Sequence, residues 1–111
     1  MLILAAVLIL AVGCKENSTA ISSILDQPDK YVNHEVLVGG NVTKSYGVNL
    51  FIADAGAYQI DDGTGKIWVI SRNGVPNIGE QVGLKGTVAS GMKLGGQMFG
   101  AVIREQQRQV R

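Results

Sequence analysis

The stretch "YQIDDGTGKIWVIS", residues 58–71, places two carboxylates, two glycines and the chain's one tryptophan side by side. Apolar residues alternate on both sides of Asp62-Gly63. Aspartate and glycine tolerate the positive φ angles that tight hairpin turns require, so the pattern predicts strand, turn, strand, with Ile60, Ile67 and Val69 directed toward a core. Asp61 and Asp62 invite two chemical readings, an acid–base pair and a calcium loop. The first fails because consecutive strand residues point to opposite faces and do not converge on one substrate. The second fails because the alternating Asp or Asn ligands and the closing glutamate of a calcium loop are missing. The two aspartates are therefore read as turn chemistry.

Working outward, a two-residue period starts at Glu35, where Val36 and Val38 alternate with Glu35 and Leu37. Paired glycines weaken a strand unless they serve a bend, so Gly39-Gly40 is the expected bending point of this first strand. A second strand runs from Val48 to Asp61, with a break at Ala55-Gly56-Ala57 left open, and a third covers Lys66 to Ser71. Residues 73–79 form a connection with no helical pattern. The last two strands span Gln81 to Ala89 and Gln97 to Glu105, joined through Ser90-Gly91 and Gly95-Gly96. Before the strands, Ser18 or Thr19 is the expected cap of a short helix whose apolar face is Ile21, Ile24 and Leu25, ended by Pro28-Asp29. Arg104 to Arg111 reads as a solvated end.

The composition agrees with an all-β chain: fifteen glycines, two prolines and 46% apolar residues suit short strands and tight turns. A length of 111 residues fits one domain. Ten basic and nine acidic residues leave a formal charge of +1, so no broad basic surface announces a polyanion partner. One cysteine and one histidine exclude an internal disulfide and any zinc site built from several such ligands. No nucleophile with its base and no phosphate loop is present, so neither an enzyme nor a cofactor or metal is expected.

Four segments, "PDKYVNHEVLVGGNVT" (28–43), "YQIDDGTGKIWVIS" (58–71), "GEQVGLKGTV" (79–88) and "GAVIRE" (100–105), together resemble the OB-fold of anticodon-binding and related nucleic-acid modules. In that family a valine-rich, glycine-bent strand precedes a D-G-T-G hairpin. A G-x-x-V-x-x-x-G-x-V strand follows, which Gly79, Val82, Gly86 and Val88 match. The resemblance implies a five-stranded antiparallel barrel. The helix usual between its third and fourth strands is replaced here by the short connection, which leaves the N-terminal helix to plug the barrel.

Residues 1–13, MLILAAVLILAVG, are apolar and run into Cys14. As a helix they rise about 20 Å, short of a roughly 30 Å hydrocarbon core, which fits a signal segment better than a permanent span. Ala11-Val12-Gly13-Cys14 resembles the lipobox of bacterial lipoproteins, in which the cysteine is lipidated. Ala11 departs from the leucine commonest there, and no Lys or Arg precedes the apolar run. The outline as a whole is similar to small bacterial lipoproteins carrying an OB-fold domain. The expected organisation is therefore a signal segment 1–13, a tether 14–18, the barrel domain 19–105 and a polar tail 106–111.

An OB barrel binds across its second and third strands and the adjoining loops. With Ile67 and Val69 inward, Lys66, Trp68 and Ile70 point outward. Trp68 is then either a stacking platform between Lys66 and Arg72 or a side chain covered by the helix or tail. Tyr46, in the loop after the first strand with Lys44 nearby, is either the other wall of a groove or an amphipathic cover. His34 reads as a loop residue and Tyr31 and Tyr58 as core packing. These residues lead to an expected extracytoplasmic, membrane-anchored binding module, held through Cys14, for a peptide, an envelope protein or an oligosaccharide. Single-stranded nucleic acid is the alternative ligand, and a structural subunit of an envelope assembly the alternative role.

Overall fold

The computed structural model describes residues 18–49, 54–94 and 97–110. The apolar segment 1–13, Cys14 and the rest of the tether to residue 17 lie outside the described residues. Two short helices, α1 (Ile21–Asp26) and α2 (Pro28–Tyr31), precede five strands: β1 (Glu35–Asn49), β2 (Asp54–Asp61), β3 (Lys66–Ser71), β4 (Gln81–Leu94) and β5 (Gln97–Val110). The strands close into a barrel in the order β1-β2-β3-β5-β4. Four of the neighbouring pairs are antiparallel; the fifth, β3 with β5, is parallel. The expected five-stranded barrel is thus present, and its one parallel pair has a topological reason: a closed ring with an odd number of strands must contain a parallel neighbour pair.

β1 serves both halves of the barrel, pairing with β4 over Glu35–Asn41 and with β2 from Asn41 onward. The bend at Gly39-Gly40 makes this possible. A Cβ on Gly40 would stand 2.6 Å from the Asp61 carbonyl oxygen, so only glycine allows β1 to cross β2 this closely. β2 is continuous through Gly56, which pairs with Gly47 and Ser71, so the break left open at Ala55-Gly56-Ala57 does not occur. The β4–β5 pairing continues to Leu94↔Gln97, so Ser90 and residues 91–94 lie in strand and not in a loop. At the other end β5 runs through Val110, pairing with Val82, which carries strand through residues 106–110 of the expected polar tail.

The core follows the two-residue period. Val36, Val38 and Val42 of β1, Tyr58 and Ile60 of β2, and Ile67 and Val69 of β3 are buried, with Val82, Leu84 and Val88 of β4 and Ile103 of β5 closing the ring. Ile21 and Ile24 of α1 join this cluster with no exposed surface, so the N-terminal helix plugs the barrel as expected. Full burial of two such side chains contributes roughly 1.5–3 kcal/mol each. Residues 72–80 contain no helix. Val75 packs on the core and the Ser45 hydroxyl donates to the Pro76 carbonyl at 2.7 Å, tying the connection to β1.

Candidate functional site

The carboxylates of the opening stretch are consumed within the fold. Asp61 Oδ1 accepts from the Gly63 N–H at 2.8 Å. Asp62 Oδ1 accepts from the Thr64 N–H at 2.8 Å, the Thr64 hydroxyl at 2.6 Å and the Gly65 N–H at 3.2 Å. Asp61↔Lys66 is the last strand pair, so the turn is a four-residue loop, and within it Gly63 takes the positive φ of +90°. Asp62 Oδ2 then accepts from the Ile21 N–H at 2.9 Å, and Thr64 Oγ1 from the Ser22 N–H at 3.1 Å. The turn is thus the N-terminal cap of α1. The N-cap position is Ala20, which has no capping side chain, so neither Ser18 nor Thr19 performs that role. Burial raises the Asp62 carboxyl, but the hydrogen bonds from Thr64, Ile21 and Gly65 outweigh it and hold the group below its usual 3.8. Pro28 stands at the first position of α2, which it opens.

A second polar network closes the barrel at the far end of β3. The Tyr58 hydroxyl and the Arg108 guanidinium both donate to Glu105 Oε1, the latter at 2.9 Å. Ser71 Oγ donates to Glu105 Oε2 at 2.9 Å, and Arg108 also donates to the Gly74 carbonyl at 3.1 Å. The Glu105 side chain is 1% exposed. Burial, with the Glu105 hydrogen bond and charge, pushes the Tyr58 phenol far above its usual 10.0, against a smaller opposing pull from Arg108. Desolvation pulls the Arg108 guanidinium down, but the Glu105 charge and the contacts with Tyr58 and Glu105 carry it above its ordinary value. This network explains why β5 outruns its expected end.

The outer surface of β1, β2 and β3 has a different character. β3 shows the expected alternation: Ile67, Val69 and Ser71 buried, Lys66 and Arg72 exposed, Trp68 and Ile70 half-buried. Trp68 stacks on Tyr46, with ring centroids 5.9 Å apart and planes 25° from parallel. Tyr46 belongs to β1 and not to a loop; it pairs with Ala57 of β2. Lys44, Gln59 and Trp68 form a cross-strand row. The parallel closure extends the face, because Ile103 points into the core and Arg104, beside Ile70, is exposed. Lys44, Lys66, Arg72 and Arg104 take part in neither of the ion pairs among the described residues. Of the five sequence-derived candidates, Tyr46 and Trp68 are in contact, Lys44 lies in the same cross-strand row as Trp68, Lys66 is exposed at the start of β3 and Arg72 is exposed just beyond its end. Arg104 was missed, since a parallel neighbour leaves no local signal. His34 is exposed beside the Val32–Val88 bridge, Tyr58 is in the core and Tyr31 packs against it.

Among the described residues, no group of three His, Cys, Asp or Glu side chains is placed to hold a metal ion. An open groove of about 510 Å³ lies between residues 18–20, Gly39, Gly40, Asp61, Asp62 and Gln81. Its carboxylates are those already engaged by the turn.

No family model and no curated protein matches the sequence. Among solved structures, the chain is similar to a protein described as an aspartyl-tRNA synthetase from Leishmania major Friedlin, with a TM-score of 0.61 at 13% identity. The match covers 80% of this chain and 19% of that one. The domain is an OB-fold. In OB-folds the surface of the second and third strands is the usual ligand face; here Trp68 of β3 lies on that surface and stacks on Tyr46 of β1.

Proposed function

We propose that this OB-fold is a binding module for single-stranded nucleic acid, which it takes across the outer face of β1, β2, β3 and β5. One observation carries the reading: two stacked aromatic rings, one of them 63% exposed, share an outer face with four exposed cations that have no salt bridge among the described residues. Bases supply π-faces for the rings and phosphates supply charge for the cations. The rings already touch, so a base adds to the stack on the open side of Tyr46 instead of entering between them. Base stacking contributes roughly 1–3 kcal/mol per base, so one platform gives modest affinity and the cations make it salt-sensitive. The likeness to part of a protein named for tRNA points the same way.

The chain has one tryptophan, and it lies on the proposed face. Titration of the full chain with oligothymidylate at low salt should therefore quench Trp68 emission. Three to four phosphate contacts predict a slope of log affinity against log salt of about −2 to −3. Absence of quenching and of binding at low salt would sink the proposal.

A second reading rests on the apolar run Met1–Gly13 and Cys14. It is of a lipid-anchored, extracytoplasmic module whose ring pair takes a sugar ring or an aromatic peptide side chain. Intact mass and membrane partitioning in a bacterial host, wild type beside Cys14→Ser, test it: an acyl mass lost in the variant supports anchoring, and an unmodified chain starting at Met1 removes it.

A further inference from the structure

Simple alternation along β1 does not place Tyr46 where it stands. Val36, Val38 and Val42 face the core, so strict alternation would send Lys44 and Tyr46 inward with them. Both are exposed, because the β1–β2 register shifts between Val42 and Lys44. Val42 faces Ile60, Lys44 faces Gln59, and Thr43 is the extra residue. Beyond it Ser45 stands opposite the buried Tyr58, and Tyr46 opposite Ala57. A bulge of this kind inverts the facing of everything that follows and re-aims side chains.

The bulged residue is tied to the position it faces. Thr43 Oγ1 lies 3.0 Å from Gln59 Oε1 and 3.3 Å from the Gln59 carbonyl oxygen, its hydroxyl donating to this pair of acceptors. Gln59 in turn pairs on its other side with Trp68. Bulge, glutamine and tryptophan therefore form one line across three strands.

We propose that Thr43 and Gln59 are positioning residues of the ligand face: their hydroxyl–amide contact holds the bulge that turns Tyr46 outward onto Trp68. The functional weight of this inference rests on the nucleic-acid reading above; its geometry does not. Thr43→Val removes the hydroxyl and keeps the β-branched shape suited to a strand. Two readouts on the full chain decide the matter. The first is the near-ultraviolet circular dichroism of the free protein, which reports the coupled Tyr46 and Trp68 rings. The second is affinity for oligothymidylate, followed by Trp68 emission.

Thr43→Val should lose most of the coupled signal and bind about fivefold more weakly, the size of one net hydrogen bond, while Thr43→Ser restores both. Should Thr43→Val fail to fold, Gln59→Met, which removes the amide acceptor and leaves the backbone carbonyl, is expected to give the same two losses in smaller measure. A ring signal unchanged in the folded variant, in a protein where Tyr46→Ala abolishes it, would overturn the inference. If the wild-type chain binds no oligonucleotide, the nucleic-acid reading falls and the circular dichroism still decides the role of Thr43.

Discussion

Asp62 and Glu105 have a hydrogen-bond donor on each carboxylate oxygen, whereas Lys44, Lys66, Arg72 and Arg104 sit on the same barrel with no salt bridge among the described residues. The two carboxylates stitch segments far apart in sequence: Asp62 joins the β2–β3 turn to α1, and Glu105 joins β5 to β2 and β3. Among the described residues the four cations enter no salt bridge, and they share an outer face with the Tyr46–Trp68 stack. Chemistry that holds the fold and chemistry available to a ligand are thus carried by different residues in different places. Substitutions should separate them.

The largest effect is expected at Glu105. Removing one member of a buried charged pair leaves the other uncompensated and costs about 3–5 kcal/mol. For a domain of this size each kcal/mol lowers the melting temperature by roughly 4–8 °C. Glu105→Ala should therefore melt at least about 12 °C below wild type. A variant melting within a few degrees of wild type would remove the network from the stabilising side of the comparison.

Trp68→Ala tests the other side. Trp68 backs the Tyr46 ring on which a base would stack, so its loss should weaken oligothymidylate binding by up to the roughly 1–3 kcal/mol of one stacked base, read by fluorescence anisotropy of a labelled strand. The melting temperature should move far less than in Glu105→Ala. If stability fell as far as in that variant and affinity held, Trp68 would belong with the fold-holding residues.

How much of this division was legible in the sequence differs from residue to residue. The turn at Asp62-Gly63 and the facing of Lys66, Trp68 and Arg72 were readable, because turn chemistry and two-residue alternation are local properties. The cap on α1 was not: its acceptor lies 41 residues from the helix it caps, and only the closed barrel brings the two together. Alternation also misleads at Tyr46, where a single extra residue at Thr43 exchanges inside for outside. The strand beyond Glu105 looked like a solvated tail because its polar residues pair with β4, and Arg108 reaches a buried carboxylate only in three dimensions.

The Asp62 contribution should be smaller than that of Glu105 and should depend on pH. Helix caps contribute about 0.5–2 kcal/mol, so Asp62→Ala is expected to lower stability within that range and leave oligonucleotide affinity unchanged. The folded state holds this carboxyl below its usual 3.8, so folding favours the ionised form. Its stabilisation is present above 3.8 and is lost as the pH falls through the depressed folded value. Chemical unfolding of wild type and Asp62→Asn at pH 7 and in acid should show the difference between them narrowing in acid. A constant gap would mean that the carboxylate charge plays no part in the cap.

The smallest effect, and the sharpest test of the outer face, concerns Arg104. It reaches the ligand surface only through the parallel β3–β5 closure, beside Ile70 and one strand away from Trp68. Had the ligand lain on β1, β2 and β3 alone, its removal would not alter binding. If the strand crosses onto β5, Arg104→Ala removes one phosphate contact, and the salt slope should fall in magnitude by about 0.7, with an affinity loss that is clear at low salt and fades as salt rises. Arg108→Ala is the control: that guanidinium is bonded to Glu105, so its loss should lower stability and leave the slope of the folded protein intact. A slope that changes with Arg108 and not with Arg104 would reverse the roles of the two arginines and move the ligand to the far end of β3. Equal slopes in both variants would confine the ligand to the first three strands, where Lys44, Lys66 and Arg72 would account for the salt dependence.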